Sequence, residues 1–131
     1  MDDVLDRGER FEFRALPRVP WRLRLRRMTP AHSGVTVDTD AVRVRAGTWW
    51  MTIRFDEIAG ARVTEWPHGA RIGVHYLGRG RWMVASAAGE LVTLNFDPAV
   101  MPTTFPRTSQ LDLGLTDPQR FVSSVRSHIS R

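Results

Sequence analysis

Arginine recurs at every second position in WRLRLRR and again in VRVRA, and that spacing is where this sequence comes nearest to chemistry. On an extended strand successive side chains point to opposite faces, so Arg22, Arg24 and Arg26 share one face, with Arg27 beside them. Arg43 and Arg45 share a face in the same way, and Trp50 and Arg54 share one on the following run. Guanidinium groups match phosphate and carboxylate oxygens bidentately, and an outward indole can stack on a ligand or enter a lipid interface. With about 1 kcal/mol per basic residue near an anionic membrane, four or more engaged arginines make an appreciable contact. The competing reading is a solvated sheet face whose arginines pair with Glu12, Asp40 and Glu65.

A second group of candidates is Gly78-Arg79-Gly80-Arg81. Backbone N–H groups and the guanidiniums of Arg79 and Arg81 could form a small anion nest, although the same residues suit an ordinary hairpin tip. Nothing else in the sequence suggests a reaction. The histidines at 32, 68, 75 and 128 show neither i, i+4 helical spacing nor an HExxH pattern, so no metal or other cofactor is implied. Ser86 lies in ASAAG rather than GxSxG, and the acids Asp38, Asp40, Asp56 and Glu57 fall where turns are expected. With no cysteine there is no thiolate ligand, thiol nucleophile or disulfide. We therefore expect a non-enzymatic chain.

The net charge of +5 favours anionic partners. All 19 basic residues are arginine, however, which points to GC-rich coding and weakens basicity as a functional signal. No apolar run approaches the ~18 residues of a membrane span, and MDDVLDRGER is unlike a signal peptide. The expectation is a soluble, cytoplasmic protein.

The elements that must hold these residues are short strands. Residues 1–10 read as a flexible N-terminus and 11–131 as one domain. Alternation marks strands at Phe11–Ala15, Trp21–Arg27 and Val35–Val37. AVRVRAGTWWMTIRF then gives two more, with Val42, Val44, Trp49, Met51, Ile53 and Phe55 facing inward. Further strands follow at Gly60–Glu65 and Ile72–Tyr76, then from Trp82, at Leu91–Phe96 and at Gln110–Leu115. The prolines at 98, 102 and 106 make Asp97–Thr108 an irregular loop. Thr116 with Gln119 predicts a capping box opening a helix over 116–130, with Phe121, Val122, Val125 and Ile129 as its apolar stripe. The expected class is mainly β with one C-terminal helix, all strands antiparallel, as a bent barrel or sandwich of seven or more strands.

VRVRAGTWWMTIRF with DEIAGARVTE, then IGVHYLG, GELVTLNF and LDLGLTDPQRFVSSV, resembles pleckstrin-homology-like (PH-like) domains of GC-rich bacteria over roughly residues 34–130. The segment from Leu113 to Phe121 is similar to the phrase that opens the closing helix in that family. The resemblance implies a bent seven-stranded sheet capped by the helix, and a family of largely unassigned function. Eukaryotic relatives of the fold bind phosphoinositides or peptides, but fold alone does not transfer function.

Three kinds of partner follow from the residues. The arginine face suits an anionic membrane surface or a protein partner, and an exposed edge strand would suit a homodimer. A pocket among Trp21, Trp49 and Trp82 would suit a small molecule. Nucleic acid fits least well, because most aromatics fall on inward positions rather than beside the arginines.

Overall fold

The computed structural model describes residues 8–14, 33–47, 49–100 and 107–129, with the side chains of 97–100 left undescribed. Among the described residues nine strands form two sheets, followed by one helix. The N-terminal sheet contains β1 (Glu9–Phe11), β2 (Ser33–Val37), β3 (Ala41–Ala46) and β4 (Trp49–Arg54) in the order β1-β2-β3-β4. All its pairings are antiparallel. A single 3-10 turn, Phe55–Glu57, leads into the second sheet. That sheet holds β5 (Ile58–Thr64), β6 (Gly73–Gly78), β7 (Arg81–Ala85), β8 (Leu91–Val100) and β9 (Thr108–Gly114), in the order β5-β8-β9-β7-β6. The helix α1 spans Pro118–Ile129. The class is mainly β with one C-terminal helix, arranged as two sheets rather than a closed barrel.

Alternation explains the packing. Val42, Val44, Met51 and Ile53 all point inward from β3 and β4 and are buried. Val92 and Leu94 on β8, Leu111 and Leu113 on β9, and Val84 on β7 answer them from the second sheet, and all join one apolar cluster. Helix α1 adds Phe121, Val122 and Val125 to that cluster, with Ile129 packed against it. The helix also ties the two sheets together. Phe121 meets Phe11 of β1 edge-on at 5.0 Å, and the Arg126 Nε donates to the Ala61 carbonyl of β5 at 3.0 Å. That bond covers a carbonyl on an edge strand, where an unpaired backbone group would otherwise lie open.

Five features differ from the sequence expectation. The pair β7–β9 is parallel, with Arg81 opposite Gln110 and Ala85 opposite Gly114. The strand after Ala87-Ala88-Gly89-Glu90 does not pair back on β7; it crosses to β5 and leaves a gap one strand wide, which β9 fills. Because β9 is antiparallel to β8, it has to run with β7. Strand β8 also continues through Pro98 to Val100, where a loop was expected. Its register with β9 shifts between Asn95 and Val100, and such irregularities are where a sheet accepts proline. The first strand lies at Glu9–Phe11 rather than 11–15, although Phe13 still reaches the core through a bridge to Leu115. Finally, the helix is capped by Asp117, whose Oδ1 accepts the Arg120 N–H at 3.2 Å, with Pro118 as the first helical residue. The strand expected at Trp21–Arg27 lies outside the described residues.

Candidate functional site

The outer face of the N-terminal sheet follows from its register. Arg10 lies opposite Thr36, Thr36 opposite Arg43, and Arg43 opposite Thr52, giving one row across four strands. Gly34, Arg45 and Trp50 form the adjacent row. Neighbouring strands lie about 4.8 Å apart and alternate residues about 6.7 Å apart, so Arg10, Arg43 and Arg45 start within ~12 Å of one another. All three line one shallow depression of about 320 Å³, together with Trp50. None of the described residues that line it is acidic.

Each guanidinium in the depression is tethered. An Arg10 Nη2 donates to the Ser33 carbonyl at 2.9 Å, and Arg45 Nε donates to the Gly47 carbonyl at 3.3 Å. The Ser33 hydroxyl in turn accepts the Gly47 N–H at 3.3 Å, so both anchoring carbonyls belong to one linked corner of the sheet. Arg43 pairs with Asp38, which is held at the β2–β3 turn by its own N–H bond to Ala41. Gly34 makes room for Arg10. A Cβ there would stand 2.8 Å from Nη2 and 2.9 Å from Cζ of Arg10, so the guanidinium lies across the bare backbone. Trp50 is 57% exposed, the most exposed large apolar side chain among the described residues.

The structure thus brings Arg43, Arg45 and Trp50 together and adds Arg10, Gly34, Thr36 and Thr52 to them. It separates the rest. Arg54 sits on the same sheet face but outside the depression, paired with Asp56. It borders a more open groove of about 620 Å³ with Thr39, Asp40, Phe55 and His128. The ion pairs among described residues use Asp38, Asp56, Asp112, Asp117 and Glu9, not the expected Glu12, Asp40 and Glu65. Arg22, Arg24, Arg26 and Arg27 lie outside the described residues.

Arg79 and Arg81 belong to the β6–β7 hairpin on the other sheet. Gly78, Arg79 and Gly80 all have positive φ, as the tight tip requires. The Gly80 N–H, one of the proposed nest donors, is bonded to the Tyr76 hydroxyl at 2.8 Å. Arg81 donates from Nε and Nη2 to one oxygen of Asp112, at 2.9 and 2.8 Å. The first bond closes the hairpin tip on itself, and the Arg81 bonds hold the hairpin to β9.

Two further constellations make contacts within the fold. Trp49 and Trp82 pack on each other with ring centroids 5.5 Å apart, while Trp21 lies outside the described residues. His75 Nε2 is 2.7 Å from the Ile72 carbonyl, and His128 stacks on Phe55 with its Nδ1 2.8 Å from the Ser124 carbonyl. Among the described residues no three His, Asp or Glu side chains gather as a metal-binding group. None of the described helices is long and apolar enough to cross a membrane.

Arg10 and Gly34 are the members of the face that sequence reading missed. Arg10 falls in a charged decapeptide that looks frayed, yet Arg10-Phe11-Glu12-Phe13 already alternates. Gly34 looks like part of a loop because Pro30 and Ser33 precede it. No protein-family model, curated protein or solved structure matches the chain.

Proposed function

We propose that this protein is a non-enzymatic, cytoplasmic binding module that docks on an anionic lipid surface through the outer face of its N-terminal sheet. The observation that carries the reading is the convergence of Arg10, Arg43, Arg45 and the exposed Trp50 on one depression with no acid among its described lining residues. At about 1 kcal/mol per basic residue near the membrane, each arginine of this face favours an anionic surface by roughly fivefold, and the Asp38 carboxylate paired with Arg43 offsets one such contribution. Trp50 supplies an amphipathic ring of the kind that settles at the headgroup level. The likeness to PH-like domains belongs to this reading. It is supported by the antiparallel N-terminal meander and the closing helix, while the parallel β7–β9 pair is not part of a simple meander.

Co-sedimentation with phosphatidylglycerol vesicles and with neutral vesicles tests the proposal. Binding is expected only to the anionic vesicles, and it should fall steeply between low and physiological salt. The double variant R43Q/R45Q should bind about 30-fold more weakly, from two lost charges at ~1 kcal/mol each. Equal sedimentation of the variant and the parent protein, or binding to neither vesicle, would refute it.

A further inference from the structure

We infer that β6 is a docking edge for an acidic, extended peptide, which adds to the second sheet as a further strand between Arg71 and Arg79. This edge belongs to the other sheet from the one proposed to meet the membrane. The two sheets have four edge strands, and three of them are engaged. Helix α1 reaches β1 through the Ser124 hydroxyl, which donates to Glu9, and β5 through Arg126, which donates to the Ala61 carbonyl. At the end of β4 the Arg54 N–H is taken by Glu57 Oε1 at 2.9 Å, and the Arg54 guanidinium is paired with Asp56. Strand β6 has β7 on one side and, among the described residues, no strand on the other. An open edge presents unpaired N–H and C=O groups, onto which an extended peptide can pair. Tyr76 and Leu77 of β6 are two of the three exposed large apolar side chains among the described residues.

The usable stretch is bounded on both sides. Before β6 the Ile72 carbonyl accepts from the His75 ring, with Nε2 2.7 Å away. After Tyr76 the register with β7 shifts, so the regular ladder runs from Gly73 to Tyr76. Arg71 and Arg79 flank this stretch, and both are exposed. Neither is ion-paired with an acid among the described residues. Charge at the ends of an open edge repels a like-charged strand and selects an opposite one. Residues 71–79 contain no acid, so two copies joined along β6 would gather four arginines with nothing to balance them. A peptide with an acid near each end balances both. Arg71 and Arg79 are roughly 25 Å apart along an extended chain, within reach of the ends of a segment of about seven residues.

The inner side of the edge sets a second preference. The Tyr76 ring lies 5.2 Å from Trp82, which lies 5.5 Å from Trp49. An added strand lays alternate side chains beside this aromatic run, where β-branched residues pack well. The partner is therefore an extended segment with β-branched residues at every second position and acids at its ends.

The peptide DTVTVTD, blocked at both termini, is the probe, titrated to millimolar concentration into the isotope-labelled full-length protein and followed by backbone amide NMR shifts. Shifts should centre on Gly73–Tyr76. The peptide DTVPVTD, which lacks one backbone donor, should not bind, and NTVTVTN should bind about fivefold more weakly. The protein variant Arg71→Gln with Arg79→Asn should lose a similar factor, and Asn suits the positive φ at position 79. R43Q/R45Q should bind the peptide as the parent does, so a failure of the membrane proposal leaves this one standing. No binding of DTVTVTD, equal binding of the proline peptide, or shifts centred away from β6 would overturn the inference. So would dimerisation of the free protein through β6, since the occupant would then be a second copy.

Discussion

Removing either partner of the Arg81–Asp112 pair should destabilise the fold, and the larger loss should follow removal of the arginine. Asp112 is completely buried on the outward side of β9 and accepts from Arg81, from Thr93 at 2.7 Å and from Gln110 at 3.2 Å. Arg81, by contrast, keeps 38% of its side chain in water. Breaking a buried ion pair costs about 3–5 kcal/mol when the remaining charge stays buried. Arg81→Met leaves just such a charge, because Asp112 cannot reach solvent, so it should cost about 4 kcal/mol. Asp112→Ala leaves a guanidinium that can swing into water, and Thr93 keeps Thr64 as a partner at 2.8 Å. Its cost should be nearer ~2 kcal/mol. Against a total stability of about 5–15 kcal/mol, urea denaturation should separate the two variants clearly. The double variant R81M/D112L replaces both charges by apolar groups and should recover to within ~1 kcal/mol of the parent. Met83 lies opposite Asp112 on the adjacent strand and is itself buried, so an apolar pair is compatible with its surroundings. Additive losses in the double variant, or a D112A more damaging than R81M, would refute this account.

Two further outcomes follow from geometry. Gly114→Ala should cost about 2 kcal/mol from overpacking, because its Cβ would lie 2.7 Å from the Cβ of Ala85; urea denaturation of a neutral variant would contradict the β7–β9 neighbourhood. Asp117→Ala should lose about 1 kcal/mol and reduce protection of the Arg120 amide in hydrogen exchange, whereas Thr116→Ala should change that protection little.

The contrast between what could and could not be foreseen is physical. The inward set Val42, Val44, Met51 and Ile53 was legible because alternation is local: period two on either side of Ala46-Gly47 settles which side chains face the core. Strand order is a different matter. Residues Leu91–Phe96 look able to pair with Trp82 and Val84 across the short turn before them, and nothing local says that β9 comes between. That position is won by burial: Leu111 and Leu113 are fully buried in a central strand, with β8 on one side and β7 on the other. Asp112 shows the same limit. Alternation in Leu111-Asp112-Leu113 correctly turns the acid away from the main core. Its burial comes from the second sheet's outer face, where Met83, Ala85 and Leu91 form a small cluster with Trp66 and Ala70 from the β5–β6 connection. A residue can be outward by pattern and still dry.

The binding face divides along the same line. Arg43, Arg45 and Trp50 lie on two strands joined by a two-residue turn, so their common face could be read from the chain. Arg10 joins them only because β1 pairs with β2, from 23 residues away in sequence at the Ser33 contact. Gly34 acquires meaning only then, as the place where a side chain is missing and another strand's guanidinium lies.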